Sequence, residues 1–440
     1  MALDQFVNTV KTLSSQRSLT ELCDFLNKQS LILAGNIGQL DSIYESLEPS
    51  QHSLACVAVL IARLQGDAVE NWDSILARIN TLLTESSDDQ LRFSPHILAD
   101  LCHILSTNLI KNNIPIRGIA LVLTAIKKLQ PNPKVLTSLH ADLAKLCLKA
   151  TCFGPILPIL DQDISQINKE GDSFDAAHVL LYYYYGGCIY LAVKEYEKAL
   201  YYFEVAVTCP TAAVSHIMLE SYKKYQLVGL LVHGDKSKEV VTLPKFTSPI
   251  IPKFLKPLCP AYTEVVTAYH LSSSDGLRNV ITKYKDLFET DQNLGLVRQV
   301  LEAQTRTNIK RLTKTFVTLS LADVASRVGL DTPARAEREI VEMIKTGSIH
   351  ATISQQDGMV RFDLNPESYS SPEMLRLVEE TVTKAIVLDK QVEKLTEEVM
   401  LSCQYIRKVA GTKDDEDERL ASSNSAVSSG GGKLPGYSLG

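Results

Sequence analysis

His96, Asp100, Cys102 and His103 are the residues of this chain best suited to hold a metal ion. On a helix, His96, Asp100 and His103 share a face at i, i+4 and i+7, and their types match zinc ligands. Only one helix contributes, and no second ligand cluster accompanies it, so no metal is assigned. His140 and Asp142 lie two apart and do not face each other on a helix. The chain has no G-x-x-x-x-G-K-[ST] phosphate loop, no H-E-x-x-H, no G-x-S-x-G nucleophile elbow and no kinase signature set. It also lacks H-x-H, which removes the metalloproteases that pair that motif with a downstream Asp. No catalytic residue and no cofactor is assigned, and the expectation is a protein that is not an enzyme.

The next chemistry to consider is phosphate binding. Lys310, Arg311 and Lys314 form a basic group. Downstream, Arg335, Arg338 and Lys345 are offset by Glu337, Glu339 and Glu342. Interleaved carboxylates repel a phosphate backbone, and the formal net charge of −6 gives no overall basic bias. The nine cysteines form no C-x-x-C, and Cys147 and Cys152 are the closest pair. They read as reduced thiols used as small hydrophobes in a cytosolic or nuclear protein. Met1-Ala2-Leu3-Asp4-Gln5 lacks a basic region followed by an apolar one, so no signal peptide is expected. The apolar run 53–64 is too short to span a bilayer and predicts a buried helix.

The elements around these residues are mostly helical. In 1–170, Val135, Leu139, Leu143, Leu146 and Cys147 recur at helical spacing, as do Ile116, Ile119, Ala120 and Leu123. Breaks at Glu48-Pro49-Ser50, Ser86-Ser87-Asp88-Asp89, Lys111-Asn112-Asn113 and Gln130-Pro131-Asn132-Pro133 predict short helices stacked as antiparallel pairs. Gly186, Gly187, Tyr190, Ala199, Phe203 and Ala206 fall at tetratricopeptide-repeat spacing, with small residues where two helices touch. The tyrosine run 182–185 is assigned to packing between repeats. Pro244, Pro249, Pro252, Pro257 and Pro260 rule out one continuous helix and predict a connector between stacked helices. Further breaks are expected at 272–276 and near Asn293-Leu294-Gly295.

Residues 308–363 read as two helices, a third helix and a β-hairpin, which is a winged helix. Ser320 and Asp323 make a capping-box-like start, with Leu319 and Val324 placed as a hydrophobic staple. Gly329 closes that helix, and Thr332-Pro333 opens the next, which presents Ala336, Ile340 and Ile344 on one face. Gly347 stops it. Ile349, Ala351 and Ile353 alternate, Asp357-Gly358 turns, and Val360 and Phe362 alternate back. Over 371–401, Val378, Thr381, Ala385, Leu388, Val392, Leu395 and Val399 follow steps of three and four, a seam for partner helices. The acidic run 414–418 and the Ser/Gly stretches predict a disordered tail. The predicted division is a TPR-like α-solenoid over 1–305, a winged helix over 306–365, a terminal helix over 371–401 and a tail over 411–440.

A helical-repeat body, a winged helix and a long terminal helix in this order resemble the PCI family. Its members are scaffold subunits of the proteasome lid, the COP nine signalosome and translation initiation factor three. The segments 182–187, 215–225, 308–316 and 357–360 carry similarity to its signalosome branch. The resemblance implies a non-catalytic subunit of an assembly that removes a ubiquitin-like modifier from cullins and so regulates cullin–RING ligases. Its partners would be other PCI subunits and a separate metalloprotease subunit, in cytoplasm and nucleus, with no membrane and no nucleic acid. In the family, winged helices join edge to edge and terminal helices gather in a bundle. Carried over, the edge elements are 349–354 and 359–362, with Ile349, Ala351, Ile353, Met359, Val360 and Phe362. The bundle seam is Val378, Ala385, Leu388, Val392, Leu395 and Val399. The alternatives are a proteasome-lid subunit, or a PCI nucleic-acid adaptor using Lys310, Arg311 and Lys314.

Overall fold

The structure, a computed structural model, describes residues 2–410 apart from 17, 67–70, 131, 163, 165, 169–174, 211–212, 235–242, 245, 249, 272–273 and 364–370. The expectation for the tail at 411–440 lies outside the described residues. The first helices are α1 (Ala2–Ser15), α2 (Leu19–Gly35), α3 (Leu40–Glu45), α4 (Ser53–Gln65), α5 (Trp72–Glu85), α6 (Asp88–Phe93), α7 (Pro95–Lys111) and α8 (Ile116–Leu129). A two-residue strand β1 (Val135–Leu136) precedes α9 (Leu139–Ala150) and α10 (Leu157–Leu160), and pairs in parallel with β2 (Gln166–Ile167). Then come α11 (Ala176–Val193), α12 (Tyr196–Thr208), α13 (His216–His233), α14 (Ile250–Leu258), α15 (Pro260–His270), α16 (Ser274–Lys283) and α17 (Lys285–Thr290). The last stretch holds α18 (Leu294–Thr315), β3 (Thr318–Ser320), α19 (Leu321–Val328), α20 (Pro333–Lys345), β4 (Ala351–Ser354), β5 (Met359–Phe362) and α21 (Pro372–Met400).

The repeat body is held by helices that pack pairwise on their neighbours in sequence: α8 on α9, α11 on α12, α12 on α13. Helix α4 is apolar almost all round and is buried from Ser53 to Val57, as a helix without a polar face must be. Helix α11 is apolar enough and long enough to cross a membrane by composition alone. Here that surface goes into packing against α9 and α12. A Cβ on Gly186 would lie 2.7 Å from the Tyr202 ring, and one on Gly187 would lie 2.7 Å from the Phe203 ring. The two glycines therefore let α11 and α12 approach closely, as the repeat spacing predicts. Tyr182 is fully buried against Tyr183, Tyr202 and an edge-on His140, and Tyr202 donates its hydroxyl to the Leu160 carbonyl at 2.6 Å. The run 182–185 packs within and between helices.

Several expectations are corrected. Val135 begins a strand, and α9 starts at Leu139. In α8 the buried face is Ile119, Val122, Ala125, Ile126 and Leu129, while Ile116 is 61% exposed and Ala120 points outward. Within the proline-rich stretch the chain still forms the short helix α14, which holds Pro252 in its first turn, where the missing N–H has no helical partner to lose, and Pro257 inside its last turn. Pro260 starts α15 at its first position. Of the expected break at 272–276, Ser274-Asp275-Gly276 form the first turn of α16, and 272–273 lie outside the described residues. The break before α18 covers 291–293, and Leu294 and Gly295 already belong to the helix.

Two hydrophobic cores result. The first extends from Phe6 to Val300, and the second joins Ile309 to Phe362 through α19, α20 and the small sheet. Helix α18 belongs to both: Val297 and Val300 are buried in the first, Ile309 in the second. It runs without interruption through 305 and 306, where the sequence pattern suggested a boundary. Residues 1–363 form one compact unit, and 364–440 form another.

His140 supplies a pH-dependent contribution to the first core. Thr137 donates its backbone N–H to His140 Nδ1 at 3.1 Å, which requires an unprotonated Nδ1. Burial pushes the imidazole down to about 4, opposed by the hydrogen bond that a protonated Nδ1 can donate to the Thr137 carbonyl 3.2 Å away. An unfolded histidine takes up its proton near pH 6.5. Between those values the unfolded chain binds more protons, so stability is full above pH 6.5 and falls as pH drops toward 4. The expected loss at pH 5 is about 2 kcal/mol from this residue. Urea titrations at pH 7 and pH 5 check it: His140→Gln should flatten the pH dependence by that amount, and an unchanged dependence would contradict it.

Candidate interaction surfaces

The winged helix is built by local chemistry. Ser320 Oγ accepts the Asp323 N–H at 3.0 Å and donates to Asp323 Oδ2 at 2.7 Å. Aspartate is too short to reach back to the cap N–H, as a glutamate would, and takes the hydroxyl instead. Leu319 and Val324 are both buried in the second core. Gly329 takes φ +76°, and the Leu330 N–H closes on the Ala325 carbonyl at 2.8 Å. Thr332 caps α20, whose buried face is Ala336, Ile340 and Met343, with Ile344 at its margin.

The sheet contains a strand that the sequence pattern did not reveal. β3 pairs antiparallel with β5, giving the order β3-β5-β4. β5 is therefore the middle strand and offers no open edge, which corrects the expectation for 359–362. Val360 and Phe362 are buried, and only Met359 of the three expected contact residues is exposed. Ile349 is buried, and Ala351 and Ile353 pack against the second core. Asp363 N–H donates to the His350 carbonyl at 2.9 Å, which fixes the alternation along the β4–β5 pair. Thr352 and Ser354 then bond toward β5, and the backbone groups of Ala351 and Ile353 point away from it. Among the described residues, β4 and β3 are the two edges of this sheet.

Helix α21 is built differently. Ser371 caps it by accepting the Met374 N–H at 3.2 Å. None of its residues is buried. Along the expected seam, Val378, Ala385, Leu388, Val392, Leu395 and Val399 are all exposed, Leu388 at 60%. Leu375, Val382 and Ile386 widen the apolar stripe. Beyond it, Tyr405 joins Val392, Leu395 and Val399 around a shallow apolar groove.

The other sequence candidates disperse. Cys102 is buried in the first core, and Asp100 faces outward. His103 Nδ1 pairs with Asp142 Oδ2 on α9, and its ring stacks on His178 with centroids 4.5 Å apart. Among the described residues no group of three or more His, Cys, Asp or Glu is arranged to hold a metal. Arg306 is tied to Glu339 at 3.5 Å and Glu342 at 3.2 Å, and Arg335 to Asp331 at 3.5 Å. Lys310 lines a groove together with Glu302 and Glu342, so carboxylates accompany the basic residues here. The cysteines are free thiols. Burial pushes the Cys56 and Cys147 thiols up to about 12, so these two stay protonated at neutral pH.

Comparison with known proteins agrees with this architecture. Residues 16–251 match the family described as COP9 signalosome complex subunit 3, N-terminal helical repeats, and residues 281–363 match the PCI domain. A Drosophila melanogaster protein named COP9 signalosome complex subunit 3 is 40% identical over 432 residues, covering 94% of this chain and 96% of its own length. A Dictyostelium discoideum protein of the same name is 34% identical over 377 residues, covering 85% of this chain and 89% of its own. With repeats, PCI domain and near full-length similarity in one order, the chain belongs to the COP9 signalosome subunit 3 family.

Proposed function

We propose that this chain is a non-catalytic scaffold subunit of a signalosome assembly, which removes the ubiquitin-like modifier from cullins and regulates cullin–RING ubiquitin ligases. The observation that carries this reading is α21, a 29-residue helix with a continuous apolar stripe and no buried residue. Water disfavours such a stripe, and helices of other subunits would cover it. The catalytic step belongs in this reading to a metalloprotease partner, and the cullin ligases are reached indirectly. Cytoplasm and nucleus are the proposed locations, supported by nine free thiols. Mass spectrometry of the native complex purified through this chain, at physiological salt, tests the proposal. Recovery with other signalosome subunits, including a metalloprotease, supports it; recovery alone or with nucleic acid rejects it.

The second proposed contact is backbone pairing at the β4 edge, which presents the Ala351 and Ile353 N–H groups to a neighbouring strand. Ala351→Pro removes an outward donor without removing a β4–β5 hydrogen bond, as proline is tolerated on edge strands. The variant is expected to unfold at nearly the parent temperature while associating at least tenfold more weakly with neighbouring subunits. Undiminished association would count against the β4 edge.

A further inference from the structure

A polar groove of about 680 Å³ lies where the end of α1, the start of α2, the 46–52 loop and the start of α6 meet. Three of its lining residues each carry a buried polar atom with no hydrogen-bond partner: Ser14 Oγ, His52 Nδ1 and Gln90 Oε1. Buried polar atoms are nearly always paired, so three in one groove mark a place where partners are supplied from outside. His52 is 7% exposed. The Gln90 amide orientation is fixed, because its Nε2 donates to the Gln51 carbonyl at 2.8 Å and a flip would set two oxygens together. Its carbonyl end is therefore the unserved one.

The lining is rich in acceptors. Ser15 and Ser46 spend their hydroxyl protons on the Thr12 and Ile43 carbonyls, both at 2.7 Å, and offer only lone pairs. Glu48 and Asp89 add exposed carboxylates. Burial, and then the charge of Lys11, hold His52 below its ordinary range, in keeping with a neutral ring whose Nδ1 can accept. Lys11 is the one cation of the lining. An anion would meet two carboxylates here, and an apolar ligand would leave the acceptors unserved. A guanidinium carries five N–H donors in a planar fork, serves several acceptors at once and never loses its charge.

From these groups we propose that the groove binds the arginine side chain of a protein partner, with Gln90 Oε1 and His52 Nδ1 accepting at its floor and Glu48 and Asp89 balancing the charge. The site is independent of the scaffold reading. Saturation-transfer NMR of the full chain with Nα-acetyl-argininamide tests it, with acetyl-glycinamide and inorganic phosphate as comparison probes. Saturable argininamide binding is expected, at least tenfold weaker in Glu48→Gln/Asp89→Asn and several-fold tighter in Lys11→Ala, where a competing cation is gone. These three positions are exposed, so the variants should fold. No saturable signal means that only water serves these atoms and overturns the proposal. Equal binding of acetyl-glycinamide, preference for phosphate, or indifference to the carboxylate substitutions overturns it as well.

Discussion

Leu388→Asp combined with Leu395→Asp is expected to release the chain from its assembly while leaving its own fold intact. Both leucines are exposed, at 60% and 46%, and α21 contains no buried residue, so no buried leucine contact is lost in the isolated chain. In a bundle, each leucine contributes roughly 1.5–3 kcal/mol by burial, so losing both removes about 3–6 kcal/mol. Burying two carboxylates instead adds a further cost. The affinity for partner helices should fall by at least about a hundredfold. Native mass spectrometry reads the assembly, and far-UV circular dichroism of the purified chain reads the fold. Loss of helical content in the isolated variant would mean that α21 supports the body and would refute the division of roles. Retention in the assembly would refute the bundle contact itself.

Gly187→Ala should destabilise the repeat body, against the local preference of the helix. In a helix interior, alanine for glycine is worth up to about 1 kcal/mol of stabilisation. Here the new methyl carbon would sit 2.7 Å from the ring of Phe203, which is fully buried. Overpacking of this kind costs about 1–3 kcal/mol, so after the helix gain the net effect is expected as a loss of up to about 2 kcal/mol. Gly295 is the contrasting case. It lies in the first turn of α18, exposed, with nothing within 4 Å of an added Cβ. Gly295→Ala should be neutral or stabilising by a few tenths of a kcal/mol. Urea unfolding of the two variants therefore moves in opposite directions. If Gly187→Ala stabilises, α11 and α12 are not in the contact described; Phe203→Leu in the same background should recover part of the loss.

The tetratricopeptide spacing was legible because close helix contact demands small residues at fixed intervals, and Gly186 and Gly187 stand there for that reason. The caps at Ser320, Gly329 and Thr332 were legible because each works through its own nearest neighbours. What sequence could not show is pairing across distance. Thr318-Leu319-Ser320 reads as a cap and staple, and only the arrival of 359–362, forty residues later, makes it a strand. The same pairing turns the last strand in sequence into the central one and removes it as an edge. Pro252 looked like a breaker because proline density was counted without regard to where in a short helix each residue falls. The arginine groove was invisible for a related reason. Ser14, His52 and Gln90 come from three separate segments, and none belongs to a motif.

Helix α18 has a consequence for how neighbours are addressed. Its 22 residues extend about 33 Å and anchor one core at Val300 and the other at Ile309. Each residue of an α-helix advances the azimuth by about 100°. The bearing of the β4 edge relative to the repeat body is therefore a matter of phase, set by the nine-step interval from 300 to 309. A loop can gain a residue and leave that bearing untouched. A single insertion within this interval would swing the edge by more than a quarter turn, so the helix serves as the protractor that aims the wing.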